Sequence, residues 1–285
     1  MKKILQNPLV KILIGLIICY LPLLIVNVLI MKPIETSLML SDETGRVIRF
    51  IVNSVLIFSL YHWFIKWTED YSNFDWKYQN IGRDMIAGAL LAIISVSVVC
   101  LILRVINVYR AVNFNVNLGS ILYLLIVFAF MSILEEVLYR GVVYRIIENW
   151  LGSVLALVIS GLFFGLFHYF NQDASIISVI AASIGGLLLG LMYTVSQQLW
   201  MPIAFHWFWN FTQVFFGSRL SGSDEYFKYA VIKADFVGAD WLTGGKAGIE
   251  NSYLTLLLTV ILVFVLFYKA NRDGKILPFL LRKNK

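Results

Sequence analysis

The sequence predicts an all-α polytopic membrane protein, with about eight transmembrane helices forming one bundle around a polar intramembrane cavity. Three observations carry that prediction. Hydrophobic residues fill 60% of the 285 positions against 14% charged, and mean hydropathy is +0.80, far from the balance of a soluble domain. Eight apolar runs have roughly the 20 residues that a helix needs to cross a hydrocarbon core of about 30 Å. The fourth, fifth and seventh runs carry the glutamate pair, a histidine, and a histidine with two amides, polar groups that lipid tolerates only at a cost.

In chain order the runs cover 9–31, 46–66, 85–108, 119–140 with a continuation to 150, 153–170, 175–195, 200–216 and 252–270. The first follows "MKKILQNP" directly; it is long, has no small-residue cleavage site behind it, and is expected to be a permanent anchor. The second closes on "YHWFIKW", where His62 reads as an interface residue. Cys19 and Cys100 fall inside spans, where a thiol behaves as a small apolar side chain; no CxxC occurs and no disulfide is expected. In the fifth and sixth runs, Gly161 and Gly165 and the four-residue repeat Ala182, Gly186, Gly190 permit close backbone approach. No low-complexity linker, repeat or soluble domain interrupts the pattern, so 1–285 reads as a single membrane domain.

Lys and Arg in short loops are retained on the cytoplasmic side. Lys2, Lys3 and Lys11 flank the first run, and Lys269, Arg272, Lys275, Arg282, Lys283 and Lys285 follow the last. An even number of spans then places both termini in the cytoplasm, with Arg140 and Arg145 on the same side and the 217–251 segment outside. The net charge of +6 is thus a topology signal. No basic stripe with interleaved aromatics is present, which argues against nucleic-acid binding; membrane lipids and membrane proteins are the expected partners.

The fourth run ends in "SILEEVLYRG". Glu136 and Arg140 are i and i+4 and can pair along one face with the acid on the favourable N-terminal side. Glu135 lies about 100° away, next to Tyr139. One carboxylate is charge-compensated and the other is not, a pattern that separates acid and base roles and makes Glu135 the candidate base. The competing reading is three charges at a helix end reaching water. The fifth run carries Phe164 and His168 at i and i+4 in "FGLFH", and Glu135 and His168 are equidistant from the connection at Leu151 and Gly152. In an antiparallel hairpin they stand at one height. The seventh run, "MPIAFHWFWNFTQ", places His206, Asn210 and Gln213 on one face. These polar groups are expected to converge in the cytoplasmic third of the bilayer; an interhelical hydrogen-bond cluster that only glues helices is the other reading.

Together and in this order, "EEVLYRG", "FGLFH" and "HWFWN" resemble the EExxxR, FxxxH and HxxxN/D motifs of the CPBP family of intramembrane endopeptidases, the CAAX prenyl-protease and bacteriocin-processing (Abi) proteins. The resemblance covers about 119–216. It implies that Glu135 and His168 activate the attacking water, that His206 and Asn210 stabilise the oxyanion or complete a metal site, and that Glu136, Arg140 and Phe164 support the site. The implied activity is hydrolysis of a peptide bond near the cytoplasmic membrane face, in a lipidated C-terminal tail or a pheromone or bacteriocin precursor, in the plasma membrane of a bacterium. Peptide hydrolysis needs a base for water, a donor for the oxyanion and an acid for the leaving amine, which these residue types supply. No GxSxG is present, and both cysteines are remote in sequence from the histidine segments.

A divalent metal such as zinc is open: Glu135, His168 and His206 are one carboxylate and two imidazoles, yet no HExxH occurs, and the family is described both as metallo- and as glutamate-dependent. A non-catalytic regulator or immunity protein with the same fold is the alternative function. A proton-coupled transporter would call for discontinuous helices or inverted halves, and neither is visible.

Overall fold

The structure is a computed structural model; it describes residues 6–68 and 79–279 and is mostly helical, at 77%. Lys2, Lys3, Arg282, Lys283 and Lys285, which carry part of the orientation argument, lie outside the described residues. Helices occupy all eight expected segments: α1 Pro8–Ser37, α2 Asp42–Thr68, α3 Ile81–Val105, α4 Leu118–Leu151, α5 Ser153–His168, α6 Ile176–Ser196, α7 Trp200–Phe215 and α8 Tyr253–Arg272. Six of them are long and apolar enough to cross a membrane. The exceptions are α5 and α7, of 16 residues each, whose length of about 24 Å falls short of a hydrocarbon core of about 30 Å.

Local chemistry sets the helix ends. Asn7 accepts from the amides of Leu9 and Val10 ahead of Pro8 at the first turn of α1, and Ser252 accepts from the Thr255 amide to start α8. The α4 helix runs to Leu151, as the continuation of the fourth apolar run requires, but it widens into a π-helical stretch over Val137–Tyr144, immediately after the paired glutamates.

Glycines set the interhelical spacing. A Cβ on Gly88 of α3 would stand 2.4 Å from the Met201 carbonyl of α7, and one on Gly186 of α6 would stand 2.9 Å from the Gly161 Cα of α5. Each pair is therefore in backbone contact. Cys19 and Cys100 are buried free thiols.

One feature corrects the all-α expectation. Strands β1 (Tyr109–Phe114) and β2 (Ile232–Phe236) pair antiparallel, Tyr109 opposite Phe236 and Phe114 opposite Ile232. The strands are far apart in sequence, so no local hairpin signal betrays them. Tyr109 anchors the ribbon against Phe236 at 5.2 Å and Phe216 at 6.3 Å.

The alternating helices sort their connections onto two ends. The terminal end holds the α4–α5 corner, the α6–α7 turn and the segment after α8. There Leu277 donates its amide to Ser153 Oγ at 2.9 Å and accepts from the Ser153 amide at 3.1 Å, tying the C-terminal stretch to the corner at Gly152. The loop end holds the ribbon, the α5–α6 loop and 217–251, which packs along α4 through Tyr229 on Tyr123 at 4.5 Å and Tyr226 on Phe128 at 5.0 Å.

Candidate active site

The middle of α4 and the first half of α7 build the centre. Glu136 is fully buried, and its Oε1 accepts from Arg140 Nη1 at 2.9 Å and from His206 Nδ1 at 2.8 Å. Arg140, equally buried, donates a second bond from Nη2 to the Gly186 carbonyl at 3.0 Å and lays its guanidinium 4.7 Å from the centre of the Phe164 ring. A buried cation is thereby held by a carboxylate, a carbonyl and a ring face. The absence of a side chain at Gly186 lets α6 come near enough to offer that carbonyl.

Since a carboxylate only accepts, His206 Nδ1 carries the proton of this bond, and the ring turns its Nε2 toward Glu135. The separation between His206 Nε2 and Glu135 Oε2 is 3.9 Å, and that oxygen is buried without a hydrogen-bond partner among the described residues. The two adjacent acids thus differ as their helical positions predict: Glu136 is neutralised and fixed, whereas Glu135 is left facing an imidazole.

His168 ends α5. Its Nδ1 donates to the Phe164 carbonyl at 2.9 Å, which leaves Nε2 for the cavity, and its ring lies 4.4 Å from that of Phe164. Phe164 also meets His206 edge-on at 5.9 Å and Tyr139 at 5.0 Å. It is therefore the apolar partition between the two histidines. Asn210 lies one turn beyond His206 on the cavity wall, while Gln213 on the same face is wholly buried.

These residues line a cavity of about 980 Å³. Apolar walls come from α1, α5 and α7, including Tyr20, Phe163, Phe167, Phe205 and Trp209. The contribution of 217–251, which supplies Ser221, Ser223, Glu225, Glu250 and Asn251, was not legible in the sequence. Glu250 is the notable addition: burial raises its carboxyl above the usual glutamate range, opposed by hydrogen bonding from Ser221 and by the nearby His168. A single acid in a glycine-rich loop carries no sequence signal of such a role.

The donor set does not fit a resident metal. Among the described residues no three His, Cys, Asp or Glu side chains converge to hold an ion; Glu135 faces His206, while His168 stands beyond Phe164.

A family model described as type II CAAX prenyl endopeptidase Rce1-like matches residues 117–212. The matched stretch contains all three motifs and bears out the resemblance to CPBP-family endopeptidases. No curated protein and no solved structure matches the chain.

Proposed function

From the match of residues 117–212 to the Rce1-like type II CAAX prenyl endopeptidase family, we propose that this chain is an intramembrane endopeptidase that hydrolyses a peptide bond with water activated by Glu135 and His206. All eight helices cross the bilayer in this reading, α5 and α7 being shortened where the cavity admits water. The observation that carries it is the imidazole of His206, fixed by Glu136 at 2.8 Å with Nε2 facing Glu135 Oε2 across 3.9 Å. That gap is too long for a direct hydrogen bond between the two atoms; in this reading the attacking water bridges them once a small rotation of the Glu135 side chain opens its buried Oε2 to the cavity.

Glu135 takes a proton from this water as its oxygen attacks the scissile carbonyl. The oxyanion is met by the Asn210 carboxamide, one turn along α7; losing one such donor typically costs about 10²–10³ in rate. The C–N bond then breaks, the amine takes a proton from protonated Glu135 or from His168, and a carboxylate and an amine leave. Glu136 keeps His206 in the required tautomer, as a second carboxylate does in other hydrolytic centres. No step is routed through a metal. The substrate class is a peptide or a lipidated protein tail, whose apolar part the aromatic wall accommodates.

The test is mass spectrometry of membrane and secreted peptides from cells carrying the wild-type protein or Glu135→Gln at equal abundance. Peptide termini that depend on Glu135 are expected. Identical peptidomes, with full function retained by the variant, would leave a non-catalytic membrane regulator as the better account.

A further inference from the structure

An amide nitrogen leaves only when it is protonated, so peptide cleavage needs an acid as well as a base. Among the described residues three glutamates line the cavity. Glu135 faces His206 and Glu225 pairs with Arg46, which leaves Glu250. Its chain neighbours are pinned from the long loop itself, from α8 and from α6. The Ile249 amide donates to Ser218 Oγ at 3.0 Å, Thr255 Oγ1 donates to the Ile249 carbonyl at 2.6 Å, and the Asn251 carboxamide donates to Ser178 Oγ at 2.7 Å. Ile249 and Asn251 are buried, and the acid between them is presented to the cavity.

The same loop is pressed against the segment that follows His168. A Cβ on Gly222 would collide with the Gln172 carbonyl, and one on Gly248 with the Arg219 carbonyl. Between these contacts Ser221 holds a φ of 48°, a left-handed conformation that costs a non-glycine residue energy and that clusters at functional sites. Its amide and hydroxyl approach the Glu250 carboxyl, and the nearby charge that acts on this carboxyl is that of His168. Nδ1 of His168 is committed to the Phe164 carbonyl at 2.9 Å, so Nε2 is the atom that can exchange a proton. The Phe164 ring stands between this pair and His206. Burial, which raises the Glu250 carboxyl above the usual glutamate range, suits it to keep a proton in reserve.

We propose that Glu250 is a positioning residue for the second half of the reaction: it keeps one proton beside His168, and the leaving nitrogen takes that proton from His168 Nε2. This rests on the peptidase reading and assigns its departure step. The scissile bond lies across Phe164, its carbonyl toward Asn210 and its nitrogen toward His168. The proton passes from Glu250 to Nε2, and from there to the nitrogen as the C–N bond breaks and its electron pair moves onto nitrogen. Glu250 is left as a carboxylate, and the proton that Glu135 took from water returns to it through solvent. Attack and departure thus have separate acid–base pairs on the two sides of one ring.

Two probes offered to the purified full-length protein test it. One is an internally quenched peptide spanning a terminus that depends on Glu135; the other is the p-nitrophenyl ester of that peptide's acyl half, whose nitrophenolate departs without a proton. Glu250→Gln is expected to lower kcat on the peptide by about 10² or more, at the lower end of what general acid catalysis supplies, with KM and ester hydrolysis little changed. Glu250→Asp is expected to recover part of the loss, and Glu250→Gln to add little in a His168→Ala background, because groups acting as a unit are non-additive. Equal slowing of peptide and ester, which a merely structural role would produce, overturns the inference, as does a wild-type rate on the peptide or a loss that multiplies with that of His168→Ala. Glu135→Gln keeps the two claims apart, since it is expected to slow both probes. If it slows neither, or if no terminus depends on Glu135, the peptidase reading itself fails.

Discussion

Glu136 Oε1 holds two partners while Glu135 Oε2 has none among the described residues, and that asymmetry generates different expectations for equivalent substitutions. Glu136→Gln leaves Arg140 buried without a counter-charge; removing one member of a buried pair costs about 3–5 kcal/mol. A lower melting temperature and lower membrane yield are expected, together with reduced activity per folded molecule, since an amide can donate where His206 needs an acceptor. Thermal unfolding in detergent beside activity normalised to folded protein checks both. Glu250 supplies a pH test. Its carboxyl is held above the usual range by burial, so between the ordinary glutamate value near 4.3 and the raised one the folded state binds more protons than the unfolded. Its contribution to stability is complete below that window and is lost as pH rises through it. Glu250→Gln, neutral throughout, should flatten this slope of melting temperature against pH; an unchanged slope contradicts the assignment. The Glu136–Arg140 pair was legible in sequence because both ends lie on one helix at i and i+4. The His206–Glu136 bond was not, because it crosses between helices, and the rotation of α7 about its axis decides which acid the imidazole meets.

Among the elements, the α5–α6 contact sets where His168 stands. A Cβ on Gly165 would lie 2.0 Å from Ser183 Oγ and 2.5 Å from the Val179 carbonyl, whereas one on Gly185 meets nothing within 4 Å. Gly165→Ala is therefore expected to cost about 1–3 kcal/mol through overpacking and to lower activity by displacing the end of α5. Gly185→Ala should be neutral or stabilising by up to about 1 kcal/mol, the helix-propensity difference. Differential scanning of the two variants decides it; equal effects would mean the helices are not in backbone contact at Gly165. The small-residue spacing announced this contact, and the hydropathy runs announced the helices. The π-helical turn after Glu136 had no such signature, because local widening of a helix depends on what packs around it; stretches of this kind often occur at functional sites. The β1–β2 ribbon stayed hidden for a related reason, its two strands being far apart in sequence.

For the whole molecule, the cavity is lined from the last turns of α5, the α5–α6 loop and 217–251 as well as from α1, α4 and α7, with the reactive residues at the junction of short and long helices. The sequence revealed the three motifs, but not that 217–251 lines the cavity, since loop packing leaves no periodic trace. Because Glu135, His168 and His206 do not converge as ligands, peptide cleavage by purified protein is expected to persist after chelation in metal-free buffer; loss of activity that zinc restores would require a different arrangement of these side chains. The central claim is that Glu135 and His206 act on one water as a unit, and a double-mutant cycle on cleavage rate tests it most directly. Glu135→Gln and His206→Ala should each lose about 10²–10⁴ in rate while remaining folded and inserted, and the double variant should be little slower than the worse single one, because groups acting as a unit are non-additive. Losses that multiply, or a well-folded Glu135→Gln protein that cleaves at the wild-type rate, would contradict it.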